Sequence, residues 1–160
     1  MSYGGDESYT LAAQWVEGCA HVEDWGCGKG YLRNFISPER YRGVDGTSSK
    51  FSDEVADLTE YTSSVEGIVL RHVLEHEHSW DRILTNALAS CTQRLFIALF
   101  TPLQDKTTVL FTEPDYENVP VIGFRLEDIT DRLSEVTEYT VDTILSDTAF
   151  GEETLIRVER

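Results

Sequence analysis

Basic residues, and lysines above all, are scarce in this sequence. Its 160 residues include 29 acidic side chains against 13 basic ones, for a net charge of −16, and only three of the basic residues are lysines. Affinity for DNA or RNA duplexes depends on basic patches that neutralise phosphates, so this balance disfavours a stand-alone nucleic-acid-binding protein. Such a role would need a local arginine patch or a basic partner.

Cysteines and long apolar runs are also few. Cys19, Cys27 and Cys91 form no Cys-x-x-Cys pair and no even framework, which indicates a reducing environment rather than secretion or a structural zinc site. No apolar run approaches the roughly 20 residues of a membrane-spanning helix. The first residues lack the basic and apolar regions of a signal peptide. We therefore expect a soluble, cytoplasmic protein.

Internal repeats, low-complexity segments and domain boundaries are absent as well. A chain of 160 residues that is 41% hydrophobic is long enough for one core. We expect a single domain over residues 1–160, with a leading arm and helix in residues 1–20. The sequence also lacks a Walker lysine motif and a Gly-x-Ser-x-Gly motif, which disfavours P-loop and serine-hydrolase chemistry.

Three glycines at alternate positions are the most informative feature that is present. Gly26, Gly28 and Gly30 follow a short segment that contains Asp24, and glycines allow positive φ and a close approach of backbone to ligand. The pattern predicts a strand that ends near Asp24, a sharp turn, and a helix from about Lys29 whose N-terminus favours a negative ligand group. A dinucleotide fingerprint would need glycine or alanine where Tyr31 stands. A purely structural turn is the alternative.

Acidic residues end the next two predicted strands. Residues 41–45 form a short strand that closes on Asp45, about 20 residues beyond the glycines, as in a βαβ unit. A carboxylate there suits a vicinal diol, because both oxygens accept hydrogen bonds. Residues 55–58 predict a third strand that contains Asp57. Either acid has a simpler interpretation, since Asp45 would cap the following turn and Asp57 would cap a helix or lie on the surface.

These motifs together resemble the class I S-adenosylmethionine (SAM) dependent methyltransferases. The Asp-x-Gly-x-Gly-x-Gly pattern at residues 24–30 is similar to the first motif of that family. Residues 67–76 predict a fourth strand that runs into a helix, and their Val-Leu-Glu-His end is similar to the post-strand motif of ubiquinone-biosynthesis-type enzymes. The resemblance covers residues 8–101 and extends loosely beyond them. It implies a Rossmann-like, doubly wound α/β fold in three layers, with a seven-stranded sheet in the order 3-2-1-4-5-7-6 and strand 7 antiparallel.

The resemblance also implies a function and a binding site. It implies a SAM-dependent methyltransferase that transfers a methyl group to an oxygen or nitrogen of an acceptor, which the acidic surface suggests is a small molecule. The glycine loop would surround the methionine moiety of SAM, Asp45 would hold the ribose, and Asp57 would contact the adenine. Trp25 would either line the cofactor or pack against the sheet. The expected cofactor-binding residues are Asp24, Trp25, Gly26, Cys27, Gly28, Gly30, Asp45, Gly46, Asp57, Leu58 and Arg71.

Two histidines after the fourth strand are candidate catalytic residues. His72 and His76 follow the strand where an acceptor would meet the SAM methyl group, and histidine titrates near neutral pH. On a helix they would share one face, which is also a metal-ligand spacing. Mg²⁺ prefers oxygen ligands, however, and no histidine lies beyond residue 78. We therefore expect no metal and assign these histidines to general-base chemistry.

The remaining segments predict further α/β alternation. Residues 102–124 are irregular and contain three prolines, so they predict either a substrate lid or an added strand pair. Apolar spacing predicts helices over residues 9–18, 81–91 and 126–133, and strands over residues 94–100, 139–145 and 154–158.

Other functions remain open at this stage. The small size suits a SAM-binding subunit without its own activity, and a Rossmann-like oxidoreductase is disfavoured by Tyr31. A methyltransferase that acts on nucleic acid or protein would need a basic partner. The sequence also has no Asp-Pro-Pro-Tyr motif for exocyclic amines of DNA and no Pro-Cys for carbon methylation of pyrimidines.

Overall fold

A seven-stranded mixed sheet organises the part of the chain that the structure, a computed structural model, describes, namely residues 5–136 and 138–160. A separate two-stranded hairpin is formed by β6 and β7. The strands are β1 (Val22–Trp25), β2 (Tyr41–Asp45), β3 (Glu54–Val55), β4 (Val65–Arg71), β5 (Cys91–Leu99), β6 (Thr108–Glu113), β7 (Val119–Gly123), β8 (Glu138–Leu145) and β9 (Glu152–Glu159).

The strand order of the large sheet is β3-β2-β1-β4-β5-β9-β8. Strands β1 to β5 run parallel to one another, whereas β9 is antiparallel to both of its neighbours, β5 and β8. When only the strands of this sheet are counted, the order is 3-2-1-4-5-7-6 with the seventh strand antiparallel. The predicted topology is therefore confirmed.

Strand β5 shows why the sheet is covered on both sides. Its apolar run alternates between two hydrophobic clusters, with Leu95, Ile97 and Leu99 on one face and Phe96 and Ala98 on the other. A continuous apolar run is typical of a strand that is buried on both faces. The sheet thus has no solvated face at its centre.

Short helices supply the outer layers. Helices α2 (Trp80–Ser90) and α3 (Leu126–Thr130) pack on one face, and α1 (Glu7–Trp15) packs on the other. Helix α2 forms because its apolar residues recur at helical spacing, and it buries Ile83, Leu84 and Ala87. The three-layer arrangement matches the expectation.

The prediction of an α-helix after the glycine loop is wrong. A four-residue 3-10 helix, Tyr31–Asn34, stands there instead. Pro38 follows closely and disfavours helical backbone at Ser37, and the chain turns there into β2. Three further 3-10 helices occur in the described residues, at Leu74–His76, Pro114–Tyr116 and Asp131–Leu133.

Residues 102–124 contain the β6–β7 hairpin. Strand β7 buries Val121 and Ile122, and the carbonyl of Ile122 accepts a hydrogen bond from the Thr101 hydroxyl. Strand β6 lies on the outside and exposes Val109 and Phe111. The segment is thus a strand pair that packs beside the end of β5, with one apolar side toward solvent.

All three cysteines are free thiols and are buried. Among the described residues, none of the helices combines the length and the apolar character that a bilayer crossing requires.

Candidate functional site

One edge of the sheet gathers most of the candidate residues. Parallel strands end at the same edge, and Asp24, Asp45 and Arg71 lie at or near the carboxyl ends of β1, β2 and β4. Strand β1 lies between β2 and β4 and pairs with both. In open α/β sheets, ligands bind outside this edge, where the strand order reverses. The order reverses here between β1 and β4.

The glycine loop leaves β1 with an unusual backbone. Gly26, Gly28 and Gly30 have φ of 75°, 52° and 67°, so all three occupy the left-handed region that side chains disfavour. The first two amides after β1, those of Gly26 and Cys27, both donate to the carbonyl of Val44. The loop is therefore fastened to the end of β2.

Gly28 differs from Gly26 in what surrounds it. A Cβ on Gly26 would lie 2.5 Å from a methyl of Val73, whereas a Cβ on Gly28 would meet no atom of the described residues within 4 Å. Gly26 is thus required because any side chain there would collide with Val73, the second residue after β4. Gly28 faces open space at the sheet edge, where a ligand would approach the backbone.

Asp45 joins the glycine loop to its own turn. Its Oδ2 accepts a hydrogen bond of 2.9 Å from the Gly28 amide, and its Oδ1 accepts one of 2.9 Å from the Thr47 amide. Each carboxylate oxygen can accept a second hydrogen bond. Gly46 beside it is exposed. Asp45 is therefore held in place and still has acceptor capacity for two hydroxyls.

Asp24 lies deeper than Asp45. Its side chain is 5% exposed, and its Oδ2 accepts a hydrogen bond of 2.8 Å from the Tyr41 hydroxyl. Burial raises the pKa of Asp24 to about 7, although Tyr41 and the charge of Arg71 oppose the shift. The carboxyl group therefore titrates near neutral pH, directly beneath the glycine loop.

Trp25 and Cys27 point away from the open edge. The Trp25 indole is fully buried on the α2 face, donates to Glu23, and packs edge-on against Tyr61. The Cys27 thiol is turned toward the carbonyl of Phe51, and burial raises its pKa to about 12. Of the two interpretations of Trp25, packing against the sheet is the one that its side chain adopts.

The residues near the predicted third strand are arranged differently from the prediction. Strand β3 contains only Glu54–Val55, and Asp57 follows it in a turn. The carboxylate of Asp57 accepts bonds from the amide and hydroxyl of Thr59, which lower its pKa. Leu58 is buried, and its carbonyl accepts from Asn86. Asp57 thus caps a turn beside Asp45 while it remains exposed.

Arg71 is the centre of a buried polar network. Its guanidinium donates to the hydroxyls of Ser8 and Tyr9 in α1, and it lies 3.9 Å from the centre of the Tyr9 ring. Its Nη2 is 3.8 Å from Oε1 of Glu153 in β9. Arg71 therefore ties the leading helix and the last strand to the end of β4.

His72 is paired with a carboxylate that sequence reasoning did not identify. Its Nε2 is hydrogen-bonded to Oε1 of Glu153, which is 1% exposed. Burial lowers the pKa of His72, and the charge of Arg71 adds to the effect, whereas Glu153 opposes it. The pKa of Glu153 is lowered, since His72 and Arg71 together outweigh its burial. The pair thus consists of a carboxylate and a neutral imidazole that donates to it.

The prediction that His72 and His76 share one face of a helix is wrong. His72 has a φ of 57°, outside the helical region, and only Leu74–His76 form a short 3-10 helix. Both rings instead flank Phe100, with centroids 5.0 Å and 5.4 Å from its ring. Nδ1 of His76 donates to the carbonyl of Pro120. Within the described ranges, no group of three His, Cys, Asp or Glu side chains is placed to hold a metal ion.

Glu75 holds the backbone of Phe100, whose ring lies between the two histidines. It is fully buried, and its Oε1 accepts a hydrogen bond of 2.7 Å from the amide of Phe100. Burial raises its pKa to about 8, so the side chain is mostly protonated at neutral pH. Its Oε2 is buried and has no hydrogen-bond partner among the described residues. Glu75 therefore fixes the start of the segment after β5, and with it the ring between the two histidines.

A cavity of about 580 Å³ lies at the opposite, amino-terminal edge of the sheet. Its two arginines are already engaged: Arg40 donates to the carbonyls of Val16 and Cys19, and Arg42 pairs with Glu54. Because ligands of open α/β sheets bind at the carboxyl edge, the candidate site lies at that edge and not in this cavity.

Glu153 and Phe100 are the site residues that the sequence concealed. Glu153 lies 81 residues after His72, so no local spacing links the two. One signal was present, because a glutamate directly before the apolar strand segment 154–158 is unusual where strands are buried. Phe100 resembled the last residue of a buried strand, and only the fold shows that its ring lies between the histidines.

Comparison with known proteins identifies the fold. No protein-family model and no curated protein matches the sequence. Solved structures do match. The 1,6-didemethyltoxoflavin-N1-methyltransferase of Burkholderia thailandensis, with 1,6-didemethyltoxoflavin and S-adenosylhomocysteine bound, has a TM-score of 0.75 at 14% identity over 97% of this chain and 79% of that one.

Two further structures agree with that match. The magnesium protoporphyrin IX methyltransferase of Synechocystis with bound SAM has a TM-score of 0.66 at 14% identity, over 97% of this chain and 78% of that chain. The N-methyltransferase NodS of Bradyrhizobium japonicum with S-adenosylhomocysteine has a TM-score of 0.63 at 14% identity, over 96% and 86%. The chain therefore has the class I SAM-dependent methyltransferase fold.

Proposed function

We propose that this protein is a SAM-dependent methyltransferase that acts on a small-molecule acceptor. The observation that carries the proposal is the glycine loop, whose three left-handed glycines are joined to Asp45 at the carboxyl edge of the sheet. This construction leaves Gly28 open to a ligand and places an oriented carboxylate beside it. The similar structures support SAM as the ligand, since several contain SAM or S-adenosylhomocysteine.

In this proposal each part of the edge contacts one part of SAM. The loop of residues 24–30 surrounds the methionine moiety, and Asp45 with Gly46 holds the ribose hydroxyls. Asp57 and Leu58 lie toward the adenine, and Arg71 closes the site from the end of β4. Trp25 and Cys27 contribute through their backbone, because their side chains are turned inward.

A small acceptor fits the charge of the protein better than a nucleic acid does. A net charge of −16 repels phosphate backbones and tolerates neutral or cationic molecules. The similar structures act on small molecules by their names, which include didemethyltoxoflavin and magnesium protoporphyrin IX. The β6–β7 hairpin, residues 102–124, is the proposed cover for such an acceptor.

The chemistry would be an in-line displacement at the methyl carbon of SAM. The sulfonium is already a good leaving group, so alignment of nucleophile, carbon and sulfur provides most of the catalysis. A general base is needed only where the nucleophile carries a proton. His72 and His76 are the candidates at this edge.

Transfer of a tritiated methyl group tests the proposal. Purified protein is incubated with [methyl-³H]SAM and a cell extract separated into small molecules, nucleic acids and proteins. We expect label in the small-molecule fraction, and none when Gly28→Val replaces the native protein. Label in the nucleic-acid or protein fraction alone would contradict the acceptor class. SAM binding without any transfer would instead favour a non-catalytic SAM-binding subunit.

A further inference from the structure

Four rings meet at the carboxyl edge, beside the proposed SAM site. Phe100 is at their centre, with His72 at 5.0 Å, His76 at 5.4 Å and Phe150 at 6.1 Å between ring centroids. Phe150 belongs to the turn between β8 and β9 and is 37% exposed, so the cluster reaches the surface. We propose that the acceptor is a planar aromatic hydroxyl compound that lies against this cluster and that His72, positioned by Glu153, removes its proton. The proposal rests on the proposed methyltransferase function.

The pair of His72 and Glu153 is built as a base with an orienting partner. Glu153 is 1% exposed and accepts from Nε2 of His72, so Nδ1 is the basic nitrogen of the neutral ring. A carboxylate in this place also stabilises the imidazolium that forms when Nδ1 accepts a proton. The His72 side chain is 11% exposed, so the ring is largely buried but not sealed from solvent.

The charged and titratable groups around His72 come from three elements. Glu153 approaches from β9, Arg71 from β4, and His76 from the 3-10 helix that follows. Arg71 is neutralised by the same carboxylate, at 3.8 Å from Oε1 of Glu153. Glu153 thus balances the charge of buried Arg71 and orients the base His72. It lies in β9, 81 residues after His72 in the sequence.

The proton balance of the transfer requires such a base. The acceptor oxygen forms a bond to the methyl carbon while the bond from that carbon to sulfur breaks, and the sulfonium becomes a neutral thioether. The hydroxyl proton passes to Nδ1 of His72, and Glu153 stabilises the resulting imidazolium. A phenol suits this base better than an aliphatic alcohol, because its acidity is much closer to that of histidine.

The ring cluster supplies the reason for a planar acceptor. Aromatic rings pack favourably when their centroids are about 4.5–7 Å apart in tilted or offset arrangements. The three contacts of Phe100 lie within that range at angles of 33° to 56°. A further flat ring beside Phe150 would extend the cluster, whereas a saturated ring of the same size would lose the aromatic part of the interaction.

The first test measures the tautomer and the pKa of His72 without any catalytic turnover. Nitrogen-15 NMR of the histidine rings, assigned with single His→Gln variants, is recorded across pH for the native protein, Glu153→Gln and Glu152→Gln. Glu152 is the matched control, since it makes the same chemical change one residue away. We expect a neutral His72 with hydrogen on Nε2, and a lower pKa in Glu153→Gln only. Hydrogen on Nδ1, or equal titration in all three proteins, would overturn the dyad.

The second test measures the acceptor class. With S-adenosylhomocysteine present, binding of 1-naphthol is compared with binding of its saturated analogue decahydro-1-naphthol. We expect the aromatic compound to bind about tenfold more tightly, and Phe150→Leu to remove most of that difference, because a leucine side chain cannot make the aromatic contact. Equal binding, or no binding of 1-naphthol by a protein that binds S-adenosylhomocysteine, would overturn the acceptor class. Failure to bind S-adenosylhomocysteine would instead contradict the methyltransferase function itself.

Methyl transfer to 1-naphthol links the two tests. In Glu153→Gln we expect kcat to fall about tenfold, with KM unchanged and the acidic limb of the pH profile moved to lower pH. The Glu152→Gln control should behave as the native protein does. A uniform loss at every pH, without a moved limb, would indicate that Glu153 only supports the fold.

Discussion

The amide of Gly28 donates a hydrogen bond of 2.9 Å to Oδ2 of Asp45. This bond joins the loop after β1 to the end of β2, at the carboxyl ends of two paired parallel strands. The acceptor geometry of Asp45 is therefore set before any ligand binds, which lowers the entropic cost of ordering the site.

Replacement of Asp45 tests the ribose contact. Asp45→Ala removes both oxygens that would accept from the ribose, and should weaken SAM binding by roughly 2–3 kcal/mol because the hydroxyls lose their partners. Isothermal titration calorimetry measures the affinity. Glu60→Ala, which removes another exposed carboxylate, is the control and should leave the affinity unchanged. Unchanged SAM affinity in Asp45→Ala would remove Asp45 from the site.

Two glycines with similar backbones allow a matched test of the loop. Gly28 and Gly18 both have positive φ, 52° and 93°, and a Cβ on either would meet no atom within 4 Å. Valine at either position should therefore lower the free energy of unfolding by a similar amount, about 1–2 kcal/mol, through backbone strain.

The two valine variants should differ in ligand binding. We expect SAM binding to be abolished in Gly28→Val, because the branched side chain fills the space beside the sheet edge, and to be retained in Gly18→Val. Calorimetry with chemical denaturation measures both quantities. Normal SAM binding by Gly28→Val would show that the loop is structural only.

Glu75 predicts a pH dependence of stability. Burial raises its pKa to about 8, whereas an exposed glutamate titrates near 4.5. Between these values the folded protein holds a proton that the unfolded chain has released, so this residue lowers the stability as pH rises from about 4.5 to 8. Glu75→Gln mimics the protonated form, and its amide oxygen can still accept from the Phe100 amide.

Denaturant unfolding at two pH values measures this effect. We expect Glu75→Gln to match the native protein at pH 5 and to be more stable at pH 8 by a few kcal/mol, since each unit of pKa corresponds to about 1.4 kcal/mol. Glu60→Gln should show no such difference. A variant that is less stable than the native protein at pH 8 would mean that the carboxylate form is the one the fold stabilises.

Replacement of the hairpin tip should affect methyl transfer to the acceptor but not SAM binding. Residues 115–118 lie between β6 and β7, are exposed, and include two left-handed residues, Glu117 and Asn118. A Gly-Ser linker in their place should change SAM affinity by less than about 0.5 kcal/mol, the usual range away from a site. Methyl transfer should fall at least tenfold if the hairpin covers the acceptor. Loss of neither property would place acceptor recognition elsewhere, and equal loss of both would show that the hairpin supports the fold.

Local patterns were enough to predict the sheet. The apolar run of β5, the glycine spacing and the acids at the ends of β1 and β2 are short-range features, and the strand order followed from the family that they resemble. The helices were predicted less well, because Pro38 and short connections replace the helix after the glycine loop with the 3-10 helix Tyr31–Asn34.

Long-range pairings could not be predicted in the same way. His72 leaves the helical region and pairs with Glu153, and Arg71 contacts Ser8 and Tyr9 in a helix more than 60 residues earlier. These contacts depend on how β4, β9 and α1 are brought together, which no spacing in the sequence encodes. For the same reason the structure adds Glu153 as the partner of His72, a histidine that the sequence had already indicated.

A crystal structure with S-adenosylhomocysteine tests the central proposal most directly. We expect one molecule at the carboxyl edge of the sheet, with its ribose hydroxyls within hydrogen-bond distance of Asp45 and its homocysteine moiety against the loop of residues 24–30. The sulfur should point toward the segment after β4 that begins with His72. A molecule bound in the cavity at the amino-terminal edge, beside Arg40 and Glu66, or no bound molecule at saturating concentration, would contradict the proposal.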